Sequence, residues 1–70
     1  MEWQPIETVP TGGVMVELHT PEFTPQFSRL PDHKPGAAYE GKGWINKFGD
    51  HCWLGLGDNP RATKWRPVAE

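Results

Sequence analysis

Between Gly13 and Thr20 the chain reads GVMVELHT, with Val14, Val16, Leu18 and Thr20 alternating against Met15, Glu17 and His19. A period of two, rich in β-branched residues, predicts a half-buried strand. The stretch before it, Met1–Pro10, carries Trp3, Pro5 and Ile6. Proline fixes φ and lacks an N–H, so this opening is expected to be extended edge chain that covers one face of the strand. Pro10-Thr11-Gly12-Gly13 supplies the turn between them. From Lys42 onward, Trp44–Phe48 and His51–Leu56 flank Gly49-Asp50, which predicts a hairpin closed by a two-residue type II′ turn. In the second arm Cys52, Leu54 and Leu56 share a face opposite His51 and Trp53. Gly57-Asp58-Asn59-Pro60 is a further turn into Arg61–Val68, where Thr63 and Trp65 are expected to face inward and Lys64 and Arg66 outward.

Between these segments lies Pro21–Gly41, broken by Pro21, Pro25, Pro31 and Pro35. It predicts a proline-stiffened loop with a brief strand at Gln26–Leu30. Phe23 and Phe27 either tuck beneath the sheet or are displayed to a partner. No stretch has a helical period. The fold expected is mostly β: one small antiparallel sheet of about four strands, a β-meander, in a single domain spanning 1–70. Its core is expected to hold Trp3, Ile6, Val14, Val16, Leu18, Leu54, Trp65 and Val68.

Seventy residues bury only about 60% of the surface that the unfolded chain exposes, so such a sheet needs extra support. Cys52 is the only cysteine, which excludes a disulfide framework and fits a reducing compartment. The support must come from four tryptophans and three phenylalanines, or from dimerisation. A monomer or small homo-oligomer is expected. The chain has no signal-peptide pattern and no apolar run of membrane-spanning length, so no membrane partner and a cytoplasmic location are expected.

Formal net charge is −2, unevenly spread. Glu2, Glu7, Glu17, Glu22, Asp32 and Glu40 outweigh Arg29 and Lys34 up to residue 41. Beyond it Lys42, Lys47, Arg61, Lys64 and Arg66 outweigh Asp50, Asp58 and Glu70. The basic part, interleaved with Trp44 and Trp53, is the case for nucleic-acid binding on one sheet face. The net charge and the core's need for the same rings count against it. The acidic part is the case for nucleic-acid mimicry at a basic site.

His19, His33, His51 and Cys52 are the candidate metal ligands, but none has the paired spacing of a zinc site. His51 and Cys52 are contiguous and point to opposite faces of a strand. A Cys52–His19 nucleophile pair lacks the concave, electropositive niche that a reactive thiolate needs. No metal, cofactor or catalytic residue is therefore assigned, and no enzyme activity is expected.

Two echoes of one tetrapeptide mark the ends, Trp3-Gln4-Pro5-Ile6 and Trp65-Arg66-Pro67-Val68. The opening Trp3-Gln4-Pro5-Ile6-Glu7-Thr8-Val9-Pro10, followed by a glycine turn and a Val/Leu strand, resembles that of a small bacteriophage and prophage family, the domain-of-unknown-function family numbered 551. That family closes on a Thr-His-Trp-x-Pro-Leu type segment, matched here by Ala62-Thr63-Lys64-Trp65-Arg66-Pro67-Val68. The resemblance covers the two ends, and the middle aligns only through Gly43-Trp44. Gly12-Gly13 stands where the family has Asp-Gly, and Lys64 where it has histidine, which removes the residue one would have considered catalytic. The resemblance implies a phage or prophage origin and a compact β fold, and it carries no activity to transfer.

The reading that remains is a protein-binding module, acting on a host or bacterial defence protein (of CRISPR type, for example) by occlusion. Its candidate contact residues are Trp44, Trp53, Arg61, Lys64, Arg66, Phe23 and Phe27, because exposed aromatics and arginine dominate interface energetics. Trp44 and Trp53 are equally candidates for the core. A nucleic-acid-binding accessory role is the alternative.

Overall fold

The computed structural model describes residues 2–27 and 30–68. Five strands form one antiparallel sheet: β1 (Gln4–Pro5), β2 (Val16–Phe23), β3 (Ala37–Ile45), β4 (His51–Trp53) and β5 (Lys64–Pro67), with a 3-10 turn at Ile6–Thr8. Their spatial order is β1-β5-β2-β3-β4. Strands β2, β3 and β4 make the expected meander, but β5 returns to the far side of β2. The two Trp-x-Pro ends, expected from the sequence to close over the central strand, do not lie over the sheet. They are strands in it, paired to each other at Gln4↔Trp65 and Pro5↔Lys64.

Register decides which side chains are buried. Val16, Leu18 and Thr20 alternate into the core from β2, with Val16 opposite Gly43 and Leu18 opposite Gly41 on β3. Past Thr20 the pairing jumps from Thr20↔Tyr39 to Phe23↔Ala37, so β2 spends one more residue than β3. This bulge at Pro21 and Glu22 reverses the alternation. It turns Phe23 into the core, where it is 4% exposed. Phe23 is therefore not a displayed contact residue.

Other expectations fail for the same kind of reason. Val14 shares the parity of Val16 but is 52% exposed, because β2 starts at Val16 and neither neighbour runs opposite Val14. Leu54, expected in the core, is 56% exposed, and Trp53, a candidate for contact and for the core alike, is a core residue, 5% exposed. The face assigned to this arm is inverted, since Trp53 pairs with Gly43, which pairs with Val16, and all three positions share the core face. Thr63 is also exposed. Ile6, Trp65 and Tyr39 pack against the core as partly buried residues, with Val9 and Leu30. Trp3 and Val68 are half-buried, Trp3 on the opposite face.

The long loop is shorter than expected, because β2 runs on to Phe23 and β3 starts at Ala37. Gln26, Phe27 and Leu30 form no strand, and Ser28 and Arg29 of the expected short strand lie outside the described residues. His33 props the loop: its Nε2–H donates to the Phe23 carbonyl at 2.9 Å, and its ring lies 5.4 Å from that of Phe23. From there Phe23, Tyr39 and Trp53 continue as a row of tilted ring contacts, each pair 5.5 Å apart. The second layer that a sheet normally packs against is here built of irregular segments, through Leu56, Ala62, Ile6, Val9 and Leu30.

The β3–β4 turn also differs from the type II′ expectation. Asn46 N–H donates to Asp50 O and Gly49 N–H to Asn46 O, closing a three-residue loop, Lys47-Phe48-Gly49. Gly49 takes the left-handed conformation, φ +83°, at its last position, as three-residue hairpins require.

Gly43 carries the tightest approach. A Cβ there would run into the Cys52 carbonyl and lie 2.9 Å from Leu18 Cδ1 and 3.1 Å from Trp53 Cα. Gly43→Ala is expected to lower unfolding free energy by about 2–3 kcal/mol in urea titrations, the range of an overpacked core. Gly12→Ala, where nothing lies within 4 Å, serves as the control and should stay within about 0.5 kcal/mol.

Candidate interaction surface

At one end of the molecule two shallow depressions share the residues Asn59 and Arg61. The first, of about 470 Å³, is walled by Thr20, Glu22, Phe23, Phe27 and Asp58. The second, of about 450 Å³, is walled by Asn46, Asp50, His51 and Cys52. Arg61 thus stands between the Phe27 loop and the β3–β4 hairpin.

Phe27 is 78% exposed. Pro25 leaves the chain extended ahead of it, and the Asp58 carboxylate then accepts from two successive backbone amides. Phe27 N lies 3.0 and 3.3 Å from its two oxygens, and Gln26 N 3.3 Å from each. Asp58 itself sits in the Gly57–Pro60 turn, which is anchored from below because Trp53 Nε1–H donates to Pro60 O at 2.8 Å. A charged acceptor on adjacent N–H groups is a strong form of hydrogen bond. The result is a large apolar side chain in solvent on a restrained backbone.

Phe48, at the tip of the hairpin, is 77% exposed, with Lys47 Nζ 5.1 Å from its ring centroid. Its loop is restrained too: Asn46 Oδ1 accepts from Phe48 N and Asp50 N, both at 2.9 Å. Phe48 was not singled out in the sequence. The Asn46-x-x-Gly49-Asp50 spacing of a three-residue hairpin is the signal that places it in solvent.

His51 forms part of the second depression. Ala62 N–H donates to its Nδ1 at 3.0 Å, so the neutral ring carries its proton on Nε2. Burial lowers the His51 pKa below the ordinary 6.5, and the neighbouring Arg61 charge lowers it further, against smaller opposing effects from the Pro60 carbonyl and Asp50.

The opposite face of the sheet holds the other candidates. Cross-strand rows there read Arg66–Glu17–Lys42 and Lys64–His19–Glu40. Arg66 donates to both Glu17 oxygens, at 3.1 and 3.3 Å, and its guanidinium lies 4.2 Å from the Trp3 ring centroid. His19 lies 5.3 Å from Trp3 and pairs through Nδ1 with Glu40 at 3.1 Å. Trp44 and Cys52 are paired and half-buried on the same face. Of the expected contact residues, the structure therefore brings Phe27 and Arg61 together, sets Trp44, Lys64 and Arg66 on the far face, and buries Trp53 and Phe23. Two of the acids considered for mimicry, Glu17 and Glu40, already face cationic or titratable partners. Among the described residues no group of three or more His, Cys, Asp or Glu could hold a metal ion, and no helix is long and apolar enough to cross a membrane.

Comparison of the chain with protein-family models, with curated proteins and with solved structures gives no match.

The lowered His51 pKa sets the sign of a pH effect. Below about 6.5 the unfolded chain binds a proton that the folded one resists, so stability present above that pH falls as pH drops toward the folded value. Thermal melts should show His51's contribution lost progressively as the pH falls below about 6.5. His51→Asn, whose Oδ1 can still accept from Ala62 N–H, should flatten that slope while keeping the fold.

Proposed function

We propose that this chain is a non-enzymatic protein-binding module of phage or prophage origin, working in the cytoplasm of a bacterial host. Its target is a host or defence-system protein, a CRISPR-type component among them, which it inactivates by occlusion. The resemblance of its two ends to the phage family motivates the origin. The observation that carries the binding role is Phe27. It is mostly in solvent, its backbone is held by Asp58, and it stands beside a depression rimmed by Arg61. An exposed aromatic costs solvation unless a partner covers it, and a restrained backbone lowers the ordering entropy that binding must overcome. Aromatic and arginine anchors are the residue types that carry interface energy.

The far sheet face is the weaker candidate. Glu17 and Glu40 lie among the basic residues there and offset them, where a strand of phosphates would need uncompensated charge.

The test is capture of the tagged protein's partners from host lysate, with and without nuclease, using wild type, Phe27→Ala and Lys42→Glu/Lys64→Glu. One stoichiometric protein should survive nuclease and the lysine changes. Its affinity should fall at least about tenfold with Phe27→Ala. Recovery lost on nuclease treatment, or abolished by the lysine changes and untouched by Phe27→Ala, would move the function to nucleic acid on the sheet face.

A further inference from the structure

We propose that the open half of β3 pairs edge to edge with the same segment of a second copy of this chain. Strand β4 covers only part of β3: it pairs at Gly43, Trp44 and Ile45, and Leu54 N–H then donates to Lys42 O at 2.8 Å. Gly55, at φ +71°, turns the chain away, so the lane beside Ala37–Gly41 is vacated.

Two bonds fix which backbone groups face that lane. The Lys42 carbonyl points toward β4, and Thr63 N–H donates to His19 O, which points His19 toward β5. Since His19 lies opposite Glu40 and Glu17 opposite Lys42, the even-numbered residues of β3 direct their N–H and C=O outward. At Lys42 and Trp44 the outward groups meet the β4 segment. Beside Ala38 and Glu40 no strand of the described residues pairs on the outer side of β3, and both residues are exposed. Such an edge is a template for another strand.

Its chemistry favours a copy of itself. With a twofold axis at Tyr39, Ala38 of each chain lies opposite Glu40 of the other. The two outward donors and two outward acceptors of each copy are then all satisfied. Glu40 is the one charge in the segment, and it faces an alanine, so no like charges stand opposite each other. The segment is bounded by Gly36, at φ +83°, and by the Leu54–Gly55 departure, so in this register each strand enters the lane where the other chain leaves it. The interface is isologous and small, and the dimer exchanges with monomer.

Sedimentation equilibrium over a wide concentration range tests this. The average mass should rise from 7.9 kDa toward twice that value. Ala38→Pro removes one outward N–H and no intrachain bond, and it should hold the mass at monomer with the circular dichroism unchanged. Because residue 38 faces Glu40 of the other copy, Ala38→Lys should tighten the dimer and Ala38→Glu loosen it, each about fivefold. A monomer at every concentration overturns the proposal. So does a dimer that Lys and Glu at position 38 shift in the same direction. If amide exchange at Ala38 and Glu40 slows only when the captured protein is added, the edge belongs to an extended segment of that partner instead.

Discussion

Trp53 lying against Gly43 is the contact on which the rest of this small sheet depends. In most antiparallel pairs two side chains meet across the strands. Here the β3 side is empty at Gly43, and Leu18 and the Trp53 backbone close into the space. The indole extends toward Gly41 and Tyr39, and through its N–H it holds the loop that ends at Pro60. One residue therefore serves as core, as sheet packing and as anchor of a loop. A chain of seventy residues has few side chains to assign, and stability is concentrated in such multiple contacts.

The consequence is a one-layer architecture with two unlike faces. On the covered face, irregular segments take the place of a second layer, and each is tied by a side-chain-to-backbone bond: His33 to Phe23 O, Trp53 to Pro60 O, Ala62 N to His51, Gln26 and Phe27 N to Asp58. These bonds restrain loops that have no regular ladder of their own. On the other face, Arg66 pairs with Glu17 and His19 with Glu40 across the strands, with Lys42 and Lys64 beside them. Trp3 completes this face, stacking under Arg66 and beside His19. On that face carboxylates stand among the basic side chains, whereas Phe27 and Phe48 leave apolar surface in water on tethered loops. This contrast directs the functional reading toward the loop end of the molecule.

Much of the architecture was legible in residue order. The alternation of Val16, Leu18 and Thr20 marks the central strand, the glycine turns mark the hairpin, and prolines exclude helix. The paired Trp-x-Pro motifs mark the two ends, but their pairing with each other as strands was not legible. The candidate surface was legible only in part: Phe27 and Arg61 have the right chemistry, but nothing local says that Asp58, some thirty residues away, holds the Phe27 backbone.

What residue order determined is the class of the central strand, the hairpin and the turns, because strand propensity, turn chemistry and proline restraint act within a few residues. Ala37–Gly41, read as loop, is strand because β2 lies beside it. What only the tertiary structure decided is the face each side chain takes. A one-residue bulge at Pro21–Glu22 sends Phe23 inward, and an empty position at Gly43 draws Trp53 inward and leaves Leu54 outside. Alternation defines two faces for each strand separately. Which of them is the interior depends on register with neighbours distant in sequence, and a shift of one residue exchanges them.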